Sequence, residues 1–322
     1  PGWVKSYLVA HRAIMSFVEP PEKRLRPEPL NINHKKPSVY ENTNGVPRTD
    51  FPPKVLHLGL ADGELANRVV TVGHPARAEL LAKFLEPEAQ GGHVFRLASD
   101  RGFVTHTGRF LGKRISICAT GMGLAMMDFF VREGRAVVHG PMAAVRLGTC
   151  GCLQAPVPVG SICVATEGSI LVQRNHTGDT AYTISPPCLP DAALSAAVLS
   201  ELQKSLGEGM AHGGLNVTAD SFYSSQGRLD QNFSDENATL INDLVQLHPS
   251  VVTMEMETFQ LFHLARSCVP EGSLRAASAA VVVANRPSGE VVNDDRLLTA
   301  EREGGLAVLR ALAGLQLQTP LS

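Results

Sequence analysis

Two short segments hold the residues best suited to chemistry. Phe222-Tyr223-Ser224-Ser225-Gln226-Gly227-Arg228 offers an aromatic face, a carboxamide and a guanidinium within one turn of chain. That set fits a planar ring rimmed with carbonyl and N–H groups, such as a pyrimidine. Met254-Glu255-Met256-Glu257 brings two carboxylates to the start of an apolar helix. On extended chain, alternation puts Glu255 and Glu257 on one face and Met256 on the other. A carboxylate buried there is costly unless paired, and vicinal sugar hydroxyls plus an arginine would satisfy it. Taken alone, each glutamate also reads as a helix N-terminal carboxylate stabilised by the helix dipole, and Gln226 and Arg228 as ordinary loop residues.

Two upstream elements suit an anion. Gly73-His74-Pro75-Ala76-Arg77 follows an apolar strand and opens a helix. Glycine there lets backbone N–H groups approach an oxyanion, the helix N-terminus adds positive potential, and Arg77 can clamp oxygens. Arg146-Leu147-Gly148-Thr149 ends another apolar strand, where ligands of open α/β sheets bind. An arginine followed by a threonine supplies bidentate and hydroxyl donors. Each element alone is more simply a turn or strand end with a solvated arginine. They gain meaning as a pair. Gly121-Met122-Gly123 lacks the third glycine of a dinucleotide fingerprint, since Met126 and its neighbours occupy that place, and it reads as a tight strand–helix turn near the ribose or phosphate.

Bulk properties exclude several classes. Formal net charge is −2, sequence pI about 6.7, and 44% of residues are hydrophobic. Neither nucleic-acid nor membrane-surface binding is indicated by charge. There is no apolar run long enough for a membrane span and no secretory h-region. The six cysteines sit mostly in apolar, strand-like text and read as reduced thiols of a cytoplasmic protein. Cys150-x-Cys152 has no second thiol or histidine pair at zinc spacing, so no metal site is expected. No serine elbow, zinc-protease helix or Walker loop occurs.

Residues 1–50 hold seven of the 21 prolines and polar runs such as Asn31–Lys36. They read as an irregular extension, with one short helix over Trp3–Phe17, and Glu19 and Glu22 argue against a mitochondrial presequence. Residues 51–322 read as a single domain. Strands are expected at Asn67–Val72, Phe103–Thr107, Arg114–Ala119, Ala143–Leu147, Ser161–Thr166, Leu215–Ala219, Val251–Met254 and Ala276–Val283. Helices are expected at Ala76–Leu85, Ala125–Arg132, Asp191–Leu206 (with Asp191 as N-cap), Glu236–Leu247, Glu257–Cys268 and Leu297–Leu312. This alternation predicts an α/β fold, a three-layer α/β/α sandwich around a mixed central β-sheet.

With these motifs in hand, the chain from about Lys54 to Leu312 resembles the uridine phosphorylase branch of the hexameric-type nucleoside phosphorylases. The resemblance implies that Gly73, Arg77, Arg146 and Thr149 hold phosphate. His57, in Leu56-His57-Leu58-Gly59-Leu60, would reach the ribose 5′-hydroxyl of the neighbouring subunit, and Arg101, in Asp100-Arg101-Gly102-Phe103, its phosphate. Met256 and Glu257 would hold the ribose, Glu257 through its 2′- and 3′-hydroxyls. Phe222, Gln226 and Arg228 would bind uracil, with Val282 or Val283 walling the base. Purine-cleaving relatives carry an aspartate near Asn285-Arg286, and its absence favours uracil. His74 stands where relatives often have an acid. Gly102 and Leu124-Ala125-Met126 replace text that binds an interface potassium ion in some relatives, so no cofactor and no metal are expected. The strand at Val281 runs one residue longer than the pattern.

The implied reaction is uridine plus phosphate giving uracil plus ribose 1-phosphate, in a homodimer with shared active sites rather than a hexamer. On this reading Arg77 and Arg146 serve the nucleophile, and Arg146→Ala is expected to fold normally. Three alternatives stand beside it: a purine nucleoside or methylthioadenosine phosphorylase of the same fold, a nucleosidase, and a non-catalytic nucleoside-binding homologue. A nucleosidase would not need the phosphate arginines. A binding homologue would be expected to lose Arg146 or Glu257.

Overall fold

A computed structural model describes residues 44–49, 52–90 and 92–317, all of which fall in one compact unit, Ser38–Ser322. The helix expected at Trp3–Phe17 lies outside the described residues. The central sheet runs β10 (Tyr182–Ile184), β9 (Ser169–Arg174), β12 (Leu215–Ala219), β13 (Val251–Glu255), β7 (Met142–Cys152), β3 (Arg68–Val72), β6 (Lys113–Ala119), β5 (Val104–Phe110), β4 (Phe95–Ala98). A branch leaves this path at β7, which also pairs with β14 (Leu274–Asn285). β14 pairs in turn with β8 (Ile162–Val164), and β8 with β11 (Ala211–Gly213). β3 is parallel to β6 and β7, and β14 is parallel to β7, while β13 is antiparallel to β7 and β5 to β6. The sheet is therefore mixed, as expected. A separate two-stranded ribbon joins β1 (Arg48–Thr49) to β2 (Lys54–Val55).

The three layers follow from the two-residue period of the strands. Val70, Val72, Val145 and Leu147 turn to one face, against α1 (Pro75–Ala82), α3 (Ala192–Leu206) and α6 (Asp294–Gly314). Val69, Met142 and Ala144 turn to the other, against α2 (Leu124–Val137) and α5 (Thr258–Arg266). α4 (Leu240–Leu247) closes a smaller core over β12 and β13. Asp191 caps α3, its carboxylate accepting from Leu194 N at 2.8 Å, and Arg275 grips the same carboxylate at 2.7 Å. Those donors hold the Asp191 carboxyl below its ordinary range.

α6 shows how packing positions a site residue. A Cβ on Gly304 would lie 2.2 Å from Ile162 Cδ1, and one on Gly305 would lie 2.1 Å from Leu81 Cδ2. Two mid-helix glycines cost roughly 1 kcal/mol each against alanine, and here they let the helix press onto β8 and α1. That approach sets Glu301 beside Arg77.

Sequence reading missed β1, β2, β4, β9, β10 and β11. They are short or lie near the edges, and their turns do not break the pattern as sharply. β14 carries a bulge: Val282 pairs with Cys150 and Ala284 with Gly151, leaving Val283 as the extra residue. Among the described residues no helix is long and apolar enough to cross a membrane.

Candidate active site

The centre of the site is one buried guanidinium held by two buried carboxylates. Arg146, on β7, donates through Nε to Glu255 Oε2 at 3.1 Å and through Nη2 to Glu257 Oε2. Glu255 ends β13 and Glu257 is the N-cap residue of α5, so both carboxylates converge on one face. Gly148 is needed here, since a Cβ would sit 2.8 Å from Arg146 Nη2. The third nitrogen, Nη1, is buried with no hydrogen-bond partner among the described residues. A buried donor without an acceptor is costly, and this one is a ready contact for an oxyanion.

The two glutamates differ in their support. Glu255 accepts from Asn216 Nδ2 at 2.9 Å, Thr218 Oγ1 at 2.6 Å, Glu257 N at 2.9 Å and Thr258 N at 3.1 Å, besides Arg146. Burial pushes its carboxyl up, but Arg146 and these donors win, and the group is held below the ordinary range. Among the described residues, Glu257 accepts only from Gly123 N, at 2.5 Å, and from Arg146. Burial, aided by Glu255, outweighs Arg146 and pushes its carboxyl up to about 7. A proton entering this pair therefore resides on Glu257. Met256, half-buried, separates the two.

Arg77 lies on α1, whose first turn is capped by His74: Nδ1 accepts from Ala76 N at 3.1 Å. Its guanidinium is buried and already engaged. Nε and Nη2 both meet Glu301 Oε1, at 2.8 and 2.7 Å, and Nη1 donates to Leu147 O at 3.3 Å. Gly73 accepts from Gly121 N at 3.1 Å, and a Cβ on it would make only ordinary contact. Thr149 is half-buried, and alternation along β7 turns it toward the Leu147 face, away from Arg146. The arginine–threonine pair thus sits on opposite faces of the strand.

The 222–228 segment is built as a rigid loop. Ser224–Gln226 forms a single 3₁₀ turn closed by Gly227 at φ +62°. A side chain there would be strained and would meet Ile241 Cγ1 at 2.9 Å. Asn237 Nδ2 ties the ends together, donating to Ser224 O and Arg228 O at 2.9 Å each. Arg286, following β14, donates to Gln226 O and to Gly227 O. Within the loop, Arg228 Nη1 donates to Gln226 Oε1 at 2.6 Å and to Phe222 O at 2.5 Å. Its Cζ lies 3.8 Å from the Phe222 ring centroid. One face of Phe222 is therefore covered by Arg228. Burial and the neighbouring Arg286 charge lower Arg228 to about 10.

Val282 and Val283 separate clearly. Val282 is fully buried in a small core with Cys150, Cys152, Cys163, Val157 and Val159, whereas the bulged Val283 is half-buried. Of the two, Val283 can border an open pocket. Asn285 is a structural residue, its amide donating to Gln154 O at 2.9 Å and Val157 O at 2.8 Å.

His57 and Arg101 occupy neighbouring turns. A Cβ on Gly59 would lie 3.4 Å from Ser99 Cβ, which sets the His57 turn against the Arg101 turn. Arg101 is exposed, and no hydrogen bond or ion pair among the described residues engages its guanidinium. His57 stacks on Phe129 at 3.9 Å. No hydrogen bond joins either residue to Arg146, Glu257 or the 222–228 loop.

The sequence reading missed Glu301, Glu133, Asn216 and Thr218 and gave Arg286 no contact. None stands in a motif, since each meets its partner through tertiary packing.

Residues 67–311 match the family described as the Phosphorylase superfamily. A solved structure from a structural and catalytic analysis of two uridine phosphorylases of the oomycete Phytophthora capsici is 42% identical, with a TM-score of 0.80. It covers 87% of this chain and 99% of its own. The uridine phosphorylase of Klebsiella aerogenes is 29% identical over 263 residues, covering 80% of this chain and 96% of that protein. A DeoD-type purine nucleoside phosphorylase of Oceanobacillus iheyensis is 28% identical over 211 residues, 65% of this chain and 80% of that one. With its mixed sheet and a match over most of its length, the chain belongs to the phosphorylase superfamily.

Proposed function

We propose that the protein is a uridine phosphorylase, a pentosyltransferase that converts uridine and phosphate to uracil and ribose 1-phosphate. The observation that carries the reading is the Gln226–Arg228 pair, locked to each other at 2.6 Å and held from outside by Arg286. These donors meet a base rimmed by carbonyl oxygens. The transition state gathers positive charge on the sugar and negative charge on the departing base. Preorganised donors at the uracil carbonyl edge stabilise the second and are commonly worth roughly 3–4 kcal/mol each. Phosphate, held at Arg146 Nη1 with Gly73 and Arg77, stabilises the first and attacks C1′. Fixing it in place supplies much of the remaining acceleration. Glu257, with Met256, holds the ribose, and Phe222 and Val283 border the base.

Charge balance supports a shared site. Arg77 is matched by Glu301, and Arg146 by Glu255 and Glu257, so the home arginines carry no surplus positive charge. Arg101, exposed and without an ion pair among the described residues, supplies that charge to the partner, and His57 supplies a contact to the ribose 5′-hydroxyl. The working unit on this reading is a cytoplasmic homodimer with two composite sites that needs no cofactor.

The purine alternative rests on relatives of that name. Against it, Asn285 spends its amide on backbone carbonyls and has no proton to give a purine N7. Chromatographic product analysis with uridine, thymidine and inosine, each with and without phosphate, tests the reading. Uracil from uridine only with phosphate is expected. Preferential inosine cleavage would overturn it.

A further inference from the structure

Glu133, in the third turn of α2, is a buried carboxylate for which the reaction above has no use. Among the described residues, all its hydrogen bonds come from one two-residue segment. His57 N donates to Oε2 at 2.9 Å and Leu58 N to the same oxygen at 2.8 Å, while His57 Nδ1 lies 2.6 Å from Oε1. The segment is a closed turn, with Gly59 N donating to Val55 O and Val55 N to Leu60 O, each at 2.9 Å. The carboxylate thus fills the mouth of a backbone turn, and the ring it grips stacks on Phe129 from the same helix, 16° from parallel.

This geometry decides the ring's chemistry. Both Glu133 oxygens accept from backbone N–H groups, Oε1 from His57 N at 3.1 Å, an arrangement that suits the ionised carboxylate, which can only accept. The proton of the 2.6 Å contact therefore belongs to Nδ1. In the neutral ring Nε2 then carries the lone pair, and it has no partner among the described residues. The N-terminus of the same helix contacts the home ribose carboxylate, since Gly123 N donates to Glu257 Oε1.

We infer that Glu133 is the positioning residue for His57, fixing its ring in the Nδ1–H tautomer with Nε2 presented outward as an acceptor for a nucleoside 5′-hydroxyl. The inference deepens the function proposed above and rests on its reading of His57. Glu133 touches no substrate and acts only through the imidazole. A purely structural carboxylate would hold the turn with no preference among substrates. A positioning carboxylate must show itself wherever a 5′-hydroxyl is present and nowhere else.

The test compares uridine with 5′-deoxyuridine on the full-length wild type, His57→Ala and Glu133→Gln. Loss of one well-aligned hydrogen bond is worth up to about tenfold. Wild type should favour uridine by about that factor in kcat/KM. Both variants should erase the preference by losing uridine turnover while 5′-deoxyuridine stays within about twofold. Equal loss on both substrates, or no loss on either, would overturn the role of Glu133. Equal handling of the two by wild type would remove the hydroxyl contact and the inference with it. Failure of wild type to cleave either nucleoside would defeat the proposed function itself. Should Glu133→Gln not fold, ¹⁵N NMR of histidine-labelled wild type, assigned with His57→Gln, reads the tautomer directly. Nδ1–H supports the inference and Nε2–H overturns it.

Discussion

Replacing Arg146 by alanine removes the only positive charge that the structure sets between Glu255 and Glu257. Their side chains are 2% and 3% exposed. Breaking a buried pair by deleting one partner typically costs about 3–5 kcal/mol, because it strands buried charge. At roughly 2–4 °C per kcal/mol for a domain of about this size, the melting temperature should fall by roughly 6–20 °C. The expectation from sequence, that Arg146→Ala folds normally, does not survive the geometry. The penalty should also depend on pH. In wild type the folded Glu257 carboxyl is raised to about 7 from an ordinary 4.5. The folded state therefore binds the extra proton between those values, and stability from this group falls as pH rises through that window and is level above it. Without Arg146 the folded carboxyl rises further, so the decline continues to higher pH. The difference between variant and wild type should be smaller at pH 6 than at pH 8. Urea unfolding followed by circular dichroism at both values measures it. A penalty under about 1 kcal/mol at pH 8, or an equal one at pH 6 and pH 8, would refute the argument. The double variant Arg146→Met/Glu257→Gln should regain much of the stability and none of the activity.

Further outcomes follow from the same contacts. Arg228→Ala should lower uridine turnover by roughly a hundredfold or more, the scale of one transition-state donor, and near wild-type rates in steady-state assays would remove the loop from the base. Gly148→Ala drives a methyl to within 2.8 Å of Arg146 Nη2. It should cost about 1–3 kcal/mol in urea unfolding as an overpacking change and displace the guanidinium, so phosphate KM should rise. A stable variant with unchanged phosphate KM would contradict it. Mixing inactive Arg101→Ala with inactive Glu257→Ala under subunit exchange should restore activity toward about a quarter of wild type, since half the dimers are mixed and half their sites are intact. No recovery after exchange proven by mass spectrometry would mean that both residues serve one subunit's site.

The fold was legible where the strand period was long and uninterrupted. β3, β6, β7, β13 and β14 and the helices over Asp191–Leu206 and Leu297–Leu312 are apolar runs bounded by caps or glycine, and apart from β7, which runs on past the expected Leu147 to Cys152, they sit within about three residues of expectation. Short strands such as β10 and β11 lack enough periods to be recognised. Within the site, the convergence of Glu255 and Glu257 was readable because side-chain alternation is a local property. The Arg77–Glu301 pair was not, because it depends on two glycines pressing α6 onto the sheet. His57 was indicated only by the family resemblance, and Glu133 was not indicated at all. A glutamate in mid-helix reads as solvent-facing until tertiary packing buries it. The opposite facing of Arg146 and Thr149 was within reach of the sequence, had strand parity been applied across the motif.

The most direct test of the central claim is the stoichiometry of phosphate consumption. Uridine incubated with the protein and inorganic phosphate should yield one ribose 1-phosphate per uracil by ³¹P NMR, with no uracil formed when phosphate is withheld. Uracil and free ribose released at an undiminished rate in phosphate-free, arsenate-free buffer would contradict it.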